Sequence, residues 1–353
     1  MSMRICVELN VFSILSRKEE TSARELAEET GADENLLVRL LRVLAASNYV
    51  AERGLGGYGP TKWTEQLCDR NIECMEYVNL SPLTLNNRYD TYMPLATRTP
   101  QWFKERGYRN PTNPKDGIFQ YTFDSGEDGY FQWISRPENK RYWDDANGFF
   151  ECDRANLPSW VSWFPVREKL LPHENGCTSA AEGEVPLLVD VGGGRGQDIL
   201  EFQQEFPDVS GRLVLQDQQF VLDGTTSLSS RVEKYSIDFF KESPVKGARI
   251  YFMKFVLHDY QDEQCLRILE NIKASMREGY SYLVINEFII PSTGCTRFPA
   301  QFDLLMMMAL TSLERTEIEW TFLLERAGLA LEGLYQPPCE GQGIIVATLP
   351  CST

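Results

Sequence analysis

A chain of 353 residues is longer than one hydrophobic core usually serves, so two domains are expected. With 42% hydrophobic and 24% charged residues it has a globular composition, and no apolar run approaches the roughly 20 residues that span a bilayer. "MSMRICVELNVFSIL" lacks the order of a signal peptide, so a soluble, cytoplasmic protein is expected. A net charge of −16 repels phosphate backbones and anionic membranes, so neither nucleic acid nor membrane is an expected partner and a neutral or weakly charged small molecule is.

In "TSARELAEETGADENLLVRLLRVLAASNYVAERGLGGYGPT", Thr21 or Ser22 can cap a short amphipathic helix that runs through Leu26 and turns at Gly31 and Ala32. A second helix, capped near Asp33, carries Leu36, Leu37, Leu40, Leu41 and Leu44 on one stripe. Tyr49 to Tyr58, with its glycines, predicts a small hairpin. Two helices and a β wing form a winged-helix pattern, which also occurs in DNA-binding proteins. Here the exposed face mixes Arg39 and Arg42 with Glu34 and Glu52, and the chain is acidic. A packing or dimerisation module is the expected use. From about Leu80 to Leu171 the chain is aromatic and rich in breakers. A Pro-rich connector is expected near 97–117, followed by helices bearing Phe131, Trp133, Tyr142, Trp143, Phe149 and Phe150. Such rings can join domains or wall a ligand.

From Val185 onward "PLLVDVGGG", "GRLVLQD", "ARIYFMKFVL" and "YLVINEFII" alternate with helical stretches such as "DILEFQQEFP" and "DEQCLRILENIKASM". Apolar strands alternating with helices predict an α/β fold with a parallel sheet covered on both faces, its ligands beyond the carboxyl ends of the strands. "LALEGLYQPPCEGQGIIVATLP" predicts a closing strand pair.

"LLVDVGGGRGQDILEF" reads as strand, glycine turn and helix. Gly192, Gly194 and Gly196 allow the backbone to approach a ligand where a β-carbon would intrude. A dinucleotide fingerprint would need its third glycine at Gln197, one place later. Asp190 ends the strand and can accept a hydrogen bond from an amino ligand. Asp217 ends the next strand about twenty residues on, where an acid grips ribose hydroxyls. This set points to S-adenosylmethionine, with a nicotinamide cofactor as the competing reading.

His258 stands where the apolar run Phe252 to Leu257 stops, and the chain has only one other histidine, His173, in the polar turn "LLPHENG". Glu287 lies near the end of the next strand, and Glu314 follows a Met-rich helix. If the two strands are neighbours, His258 and Glu287 converge at the carboxyl edge, where a carboxylate fixes the imidazole tautomer. A strand-end histidine can equally be a satisfied structural group. Glu314 can likewise be a solvated carboxylate, and Asp259 can cap the following helix. The nine cysteines form no C-x-x-C, and two distant histidines make no ligand cluster, so no metal is expected.

"LVDVGGGRG", "FMKFVLHDYQDEQC", "NEFIIP" and "ERTEIEW", in this order, resemble the class I small-molecule O-methyltransferases of plant caffeate type and their fungal polyketide-tailoring relatives. The resemblance covers nearly the whole chain and is strongest from Leu187 to Leu329. It implies a mostly helical winged-helix dimerisation domain at 1–100. It also implies a Rossmann-like methyltransferase domain with connector and substrate-wall helices at 101–353, its core from about 180. Carried over by position, His258 is the general base, flanked by Glu287 and Glu314. The methionine end of S-adenosylmethionine falls at the Gly192–Gly196 loop, its ribose at Asp217 and its adenine beside Asp238 and Phe239, with Lys254 another cofactor contact. Phe255, Asp259, Met306 and Leu310 fall near the acceptor, with Trp143 and Asn147 as further matches. A homodimer is implied; many relatives interlock through additional N-terminal helices, and this sequence starts almost at "CVELNVFSIL".

The implied reaction is methyl transfer to a hydroxyl with release of S-adenosylhomocysteine. A free imidazole titrates near 6.5 and a phenol near 10, so full prior deprotonation is uphill by about 3.5 units and concerted help from a base suits the gap. An unactivated alcohol lies too far, which favours a phenol or enol. The alternative is a relative that binds S-adenosylmethionine while catalysing a non-methylating pericyclic or dehydration reaction.

Overall fold

The computed structural model describes residues 1–68, 87–152, 158–171, 185–225 and 228–350, except for the side chains of 66, 87, 88 and 148–152. His173 and its turn, and the rings of Phe149 and Phe150, lie outside this description. The chain divides into two compact units, Met1–Trp102 with Tyr130–Asn156, and Phe103–Gly129 with Leu157–Thr353.

In the first unit, strand β1 (Thr21–Ser22) leads into helix α1 (Ala23–Thr30), then α2 (Glu34–Ala46), β2 (Ala51–Glu52) and β3 (Gly57–Gly59). The strands order as β1-β3-β2, all antiparallel, which makes the wing. Ser22 closes a capping box with Glu25, and Asp33 accepts the Leu36 amide, each cap worth about 1 kcal/mol. Gly31 ends α1 in the left-handed region, where its missing β-carbon removes the strain. Leu37, Leu40, Leu41 and Leu44 face the core. Leu36 does not: it is 42% exposed, because the buried stripe at i, i+3, i+4 and i+7 starts one residue later. The expected connector at 97–117 is helical in its first part. Helix Met93–Glu105 carries Pro100 inside it and buries Leu95 and Trp102, two turns apart on one face. Trp133 packs edge-on against Tyr142 at 4.8 Å, so some of the rings in 130–152 pack among themselves.

The second unit is built on a seven-stranded sheet of β4 (Pro186–Val191), β5 (Arg212–Asp217), β6 (Val232–Ser236), β7 (Ile250–Lys254), β8 (Tyr282–Glu287), β11 (Ala330–Tyr335) and β12 (Gly343–Thr348). The omitted numbers are a two-residue parallel pair outside it, β9 (Ile289–Ile290) and β10 (Arg315–Thr316). The sheet order is β11-β12-β8-β7-β4-β5-β6; β4 to β8 run parallel, and the closing pair is antiparallel. Alternation along each strand feeds two cores. Tyr251 and Met253 of β7 join Leu283 and Ile285 of β8 against helices α4 (Asp262–Lys273) and α6 (Glu317–Ala327). Ile250 and Phe252 join Val284 against helix α3 (Gln197–Glu205) and Trp160, whose ring stacks on Phe252 at 4.6 Å. With both faces buried, each enclosed aliphatic or aromatic side chain contributes about 1.5–3 kcal/mol, and the strands read as continuous apolar runs.

The chain runs β4, β5, β6 on one side of β4 and then crosses to β7 on the other. The carboxyl ends around this reversal therefore collect Gly192, Asp217, Lys254 and Glu287, where an open α/β sheet offers its binding crevice.

Candidate active site

β7 stops at Lys254 because the next residue leaves the extended region. Phe255 has φ +50°, a left-handed conformation that costs a non-glycine residue about 1–3 kcal/mol and is held here by the structure around it. The chain then makes a single turn of 3-10 helix, Leu257–Asp259, with His258 in its middle and 4% exposed.

Three carboxylates surround this turn. Glu314 Oε1 lies 2.6 Å from His258 Nδ1, and Asp259 Oδ1 lies 3.3 Å from Nε2. Glu287 engages the backbone rather than the imidazole: its Oε1 accepts the amides of Val256 at 3.0 Å and Leu257 at 2.7 Å. Glu287 is fully buried and Glu314 is 4% exposed, so neither is a solvated carboxylate. Asp259 does not cap the next helix, since Gln261 holds that position without a side-chain bond and the Asp259 carboxylate turns back to the imidazole. The expected flanking pair is thus corrected to Glu314 at one ring nitrogen and Asp259 at the other, with Glu287 beneath the turn.

Burial alone depresses an imidazole, but Glu314, Asp259 and Glu287 outweigh it and raise His258 to about 10. Burial lifts the Asp259 carboxyl to about 7 against the opposing pull of His258, and Glu287 is raised chiefly by burial. Aromatic rings also pack against the imidazole. Phe255 stacks on it at 4.8 Å and Phe302, from helix α5 (Arg297–Leu310), lies nearly parallel at 5.9 Å. Phe302 belongs to a cluster with Phe288 and Met306, against which Phe255, Phe298 and Leu310 pack. Phe255, Met306 and Leu310 therefore gather beside His258. Trp143 and Asn147 stand in the first unit on helix Lys140–Cys152, where Asn147 Nδ2 donates to the Trp143 carbonyl at 2.7 Å.

The cofactor candidates gather at the neighbouring strand ends. Gly192, Gly194 and Gly196 all have positive φ. A β-carbon on Gly192 would sit 2.8 Å from Val256, and one on Gly193 2.5 Å from the Asp190 carboxyl, so these two glycines serve protein packing as well as the turn. At Gly194 no atom lies within 4 Å of that position; its need for glycine is the backbone angle, φ +59°, and its amide donates to Asp217 Oδ2 at 2.8 Å. Burial lifts the Asp217 carboxyl to about 6 against two backbone amide bonds. Phe239 lies beside Gly192 and edge-on to Tyr260, while Asp238 pairs with Lys241 at 2.7 Å. Lys254 Nζ lies 3.6 Å from Asp198 in the first turn of α3. The left-handed loop, an acid at the next strand end and an aromatic ring beside the loop fit a nucleoside with a charged tail.

Two residues of this neighbourhood escaped the sequence reading. Tyr260 lies between the turn and the cofactor side, its phenol raised by burial and by Asp259, Asp217 and Asp238. Arg315, fully buried, donates to the carbonyls of Leu257 at 3.1 Å and Tyr260 at 2.9 Å and to Asp262 Oδ1. Its position in "ERTEIEW", next to Glu314, was the available signal.

Residues 177–330 match the family model of an O-methyltransferase domain, and residues 1–68 that of an O-methyltransferase dimerisation domain. The O-methyltransferase penC of Penicillium thymicola is 33% identical over 349 residues, covering 98% of this chain and 83% of that protein. The solved structure of LepI complexed with S-adenosylmethionine superposes with a TM-score of 0.85 at 29% identity, covering 99% of this chain and 85% of the other. A structure described as a pericyclic reaction enzyme does so with a TM-score of 0.85 at 28% identity, covering 99% and 86%. Among the described residues no helix is long and apolar enough to cross a membrane. By sequence along its whole length and by the order of its sheet, the chain belongs to the S-adenosylmethionine-dependent O-methyltransferases.

Proposed function

We propose that the protein methylates a phenolic or enolic hydroxyl on a small aromatic acceptor of the secondary-metabolite kind, with His258 taking the hydroxyl proton. The observation that carries this reading is the grip on the imidazole. Glu314 occupies Nδ1 at 2.6 Å, so the hydroxyl proton would be taken at Nε2, beside the Asp259 carboxylate at 3.3 Å. S-adenosylmethionine, when bound, supplies an electrophilic methyl group on a sulfonium. The Gly192–Gly196 loop, Asp190, Asp217, Asp238, Phe239 and Lys254 are the residues that would hold it.

The raised imidazole changes the energetics of proton transfer. With His258 near 10 and a phenol near 10, the proton moves between groups of about equal affinity, where a free imidazole would face a gap of about 3.5 units. The cost appears instead as a small neutral population at pH 7, so turnover rises with pH toward the His258 value. Asp259 then stabilises the proton on Nε2 while the new bond forms. The phenyl and thioether lining of Phe255, Phe288, Phe302 and Met306 supplies a face for a flat acceptor. Residues 1–68 would pair two copies of the chain.

The test is His258→Ala. It should bind S-adenosylmethionine as the native protein does and lose about 10²- to 10⁴-fold in turnover with a phenolic acceptor; undiminished turnover refutes the base. A second reading, non-methylating chemistry on bound S-adenosylmethionine, draws on the likeness to the pericyclic reaction enzyme. It predicts acceptor conversion without S-adenosylhomocysteine.

A further inference from the structure

We infer that Arg315 is a positioning residue for the His258 turn, holding by its backbone the same turn that Glu314 holds by its ring. This rests on the proposal that His258 is the base.

Consecutive residues of an extended segment point to opposite sides. At the start of β10 this sends Glu314 to His258 Nδ1 and Arg315 to the other side of the turn. There Arg315 Nη1 donates to the Leu257 carbonyl and Nη2 to the Tyr260 carbonyl, the residues on either side of His258 and Asp259. Nε and Nη2 both donate to Asp262 Oδ1, at 3.0 and 2.9 Å, and the guanidinium lies over the Trp320 ring at 5.3 Å. Glu287 completes the arrangement from below by accepting the Val256 and Leu257 amides. The turn's amides thus meet a carboxylate, its carbonyls meet a guanidinium and its imidazole meets a second carboxylate. The parallel pairing of Arg315 with Ile289 ties both grips to one register, because β9 begins two residues after Glu287.

A planar fork reaching two carbonyls and a carboxylate at once cannot be copied by a lysine ammonium, which is a single compact donor group. A merely structural arginine predicts that Arg315→Lys changes stability alone. A positioning arginine predicts a change at the His258 ring. The protein has two histidines, so a His173→Gln background leaves His258 as the only imidazole, and its ring nitrogen resonances can be read without assignment.

In that background, shown first to retain native turnover, Arg315→Lys should shift or broaden the Nδ1 proton and nitrogen signals. Affinity for S-adenosylmethionine should stay within about twofold and kcat should fall about 10- to 100-fold, as expected for a base displaced by up to an ångström. Unchanged ring resonances overturn the positioning role, whatever turnover does. A shifted ring with undiminished turnover overturns instead the assignment of His258 as base and removes the catalytic meaning of the grip. If Arg315→Lys does not fold, Asp262→Ala gives the same readings. It releases the guanidinium from a half-exposed partner while keeping both carbonyl contacts, and the same shift of smaller size is expected.

Discussion

Replacing Glu314 with glutamine removes a charge from His258 Nδ1 while keeping a side chain of the same size. A hydrogen bond to a charged group contributes about 1.5–3 kcal/mol, and 1.36 kcal/mol corresponds to one unit of pKa. The His258 value, raised to about 10, should therefore fall by about one to two units. On the proposed role His258 works in its neutral form, so turnover should rise with pH and the acid limb of the native profile should reach its plateau only near pH 10. In the variant the limb moves toward neutral by that amount and the plateau drops roughly 10- to 150-fold, because the transferred proton is less well held. The two effects oppose each other below the limb, so the loss should be largest at alkaline pH and shrink toward pH 7. Rates of methyl transfer to one phenolic acceptor, measured from pH 6 to 10.5 at saturating cofactor, give both profiles. A limb that does not move, or a loss of equal size at every pH, would show that the Glu314 charge is not coupled to the imidazole.

Asp217 gives a second pH dependence of the same sign but a lower midpoint. The charged carboxylate is the stronger acceptor for ribose hydroxyls, and the group is raised to about 6. Affinity for S-adenosylmethionine should hold above that value and weaken as pH falls through it, and Asp217→Asn should bind weakly without this dependence; calorimetry between pH 5 and 8 reads both. At Glu287 the two amide bonds converge on one oxygen, and Oε2 has no hydrogen-bond partner among the described residues. Glu287→Gln should therefore keep most of kcat, whereas Glu287→Ala, which releases both amides, should lose about 10²-fold. Equal losses in the two variants would show that Glu287 acts mainly through its charge on the imidazole and not through the two amide bonds.

Features carried by local pattern were legible in the sequence. Strands buried on both faces read as continuous apolar runs, three alternating glycines marked the turn after β4, and the caps at Ser22 and Asp33 announced helices α1 and α2. What escaped depends on side chains meeting across long separations. Nothing local distinguishes a Glu287 that reaches an imidazole from one that takes amides thirty residues back in the chain. Asp259 has the look of a helix cap, yet the single 3-10 turn directs it to Nε2. Arg315 carries a charge in a sequence rich in charged neighbours, and its burial rests on contacts to Leu257, Tyr260 and Asp262, more than fifty residues back in the chain. Likewise the raised value of His258 comes from carboxylates at 259, 287 and 314 that the fold assembles and that no local pattern around the histidine announces.

The most direct test of the central claim is mass spectrometry after incubation with S-adenosylmethionine carrying a labelled methyl group and a series of phenols. The expected result is a labelled methyl ether formed in equal amount with S-adenosylhomocysteine, and lost in His258→Ala. Conversion of an acceptor with the label still on intact S-adenosylmethionine would contradict methyl transfer.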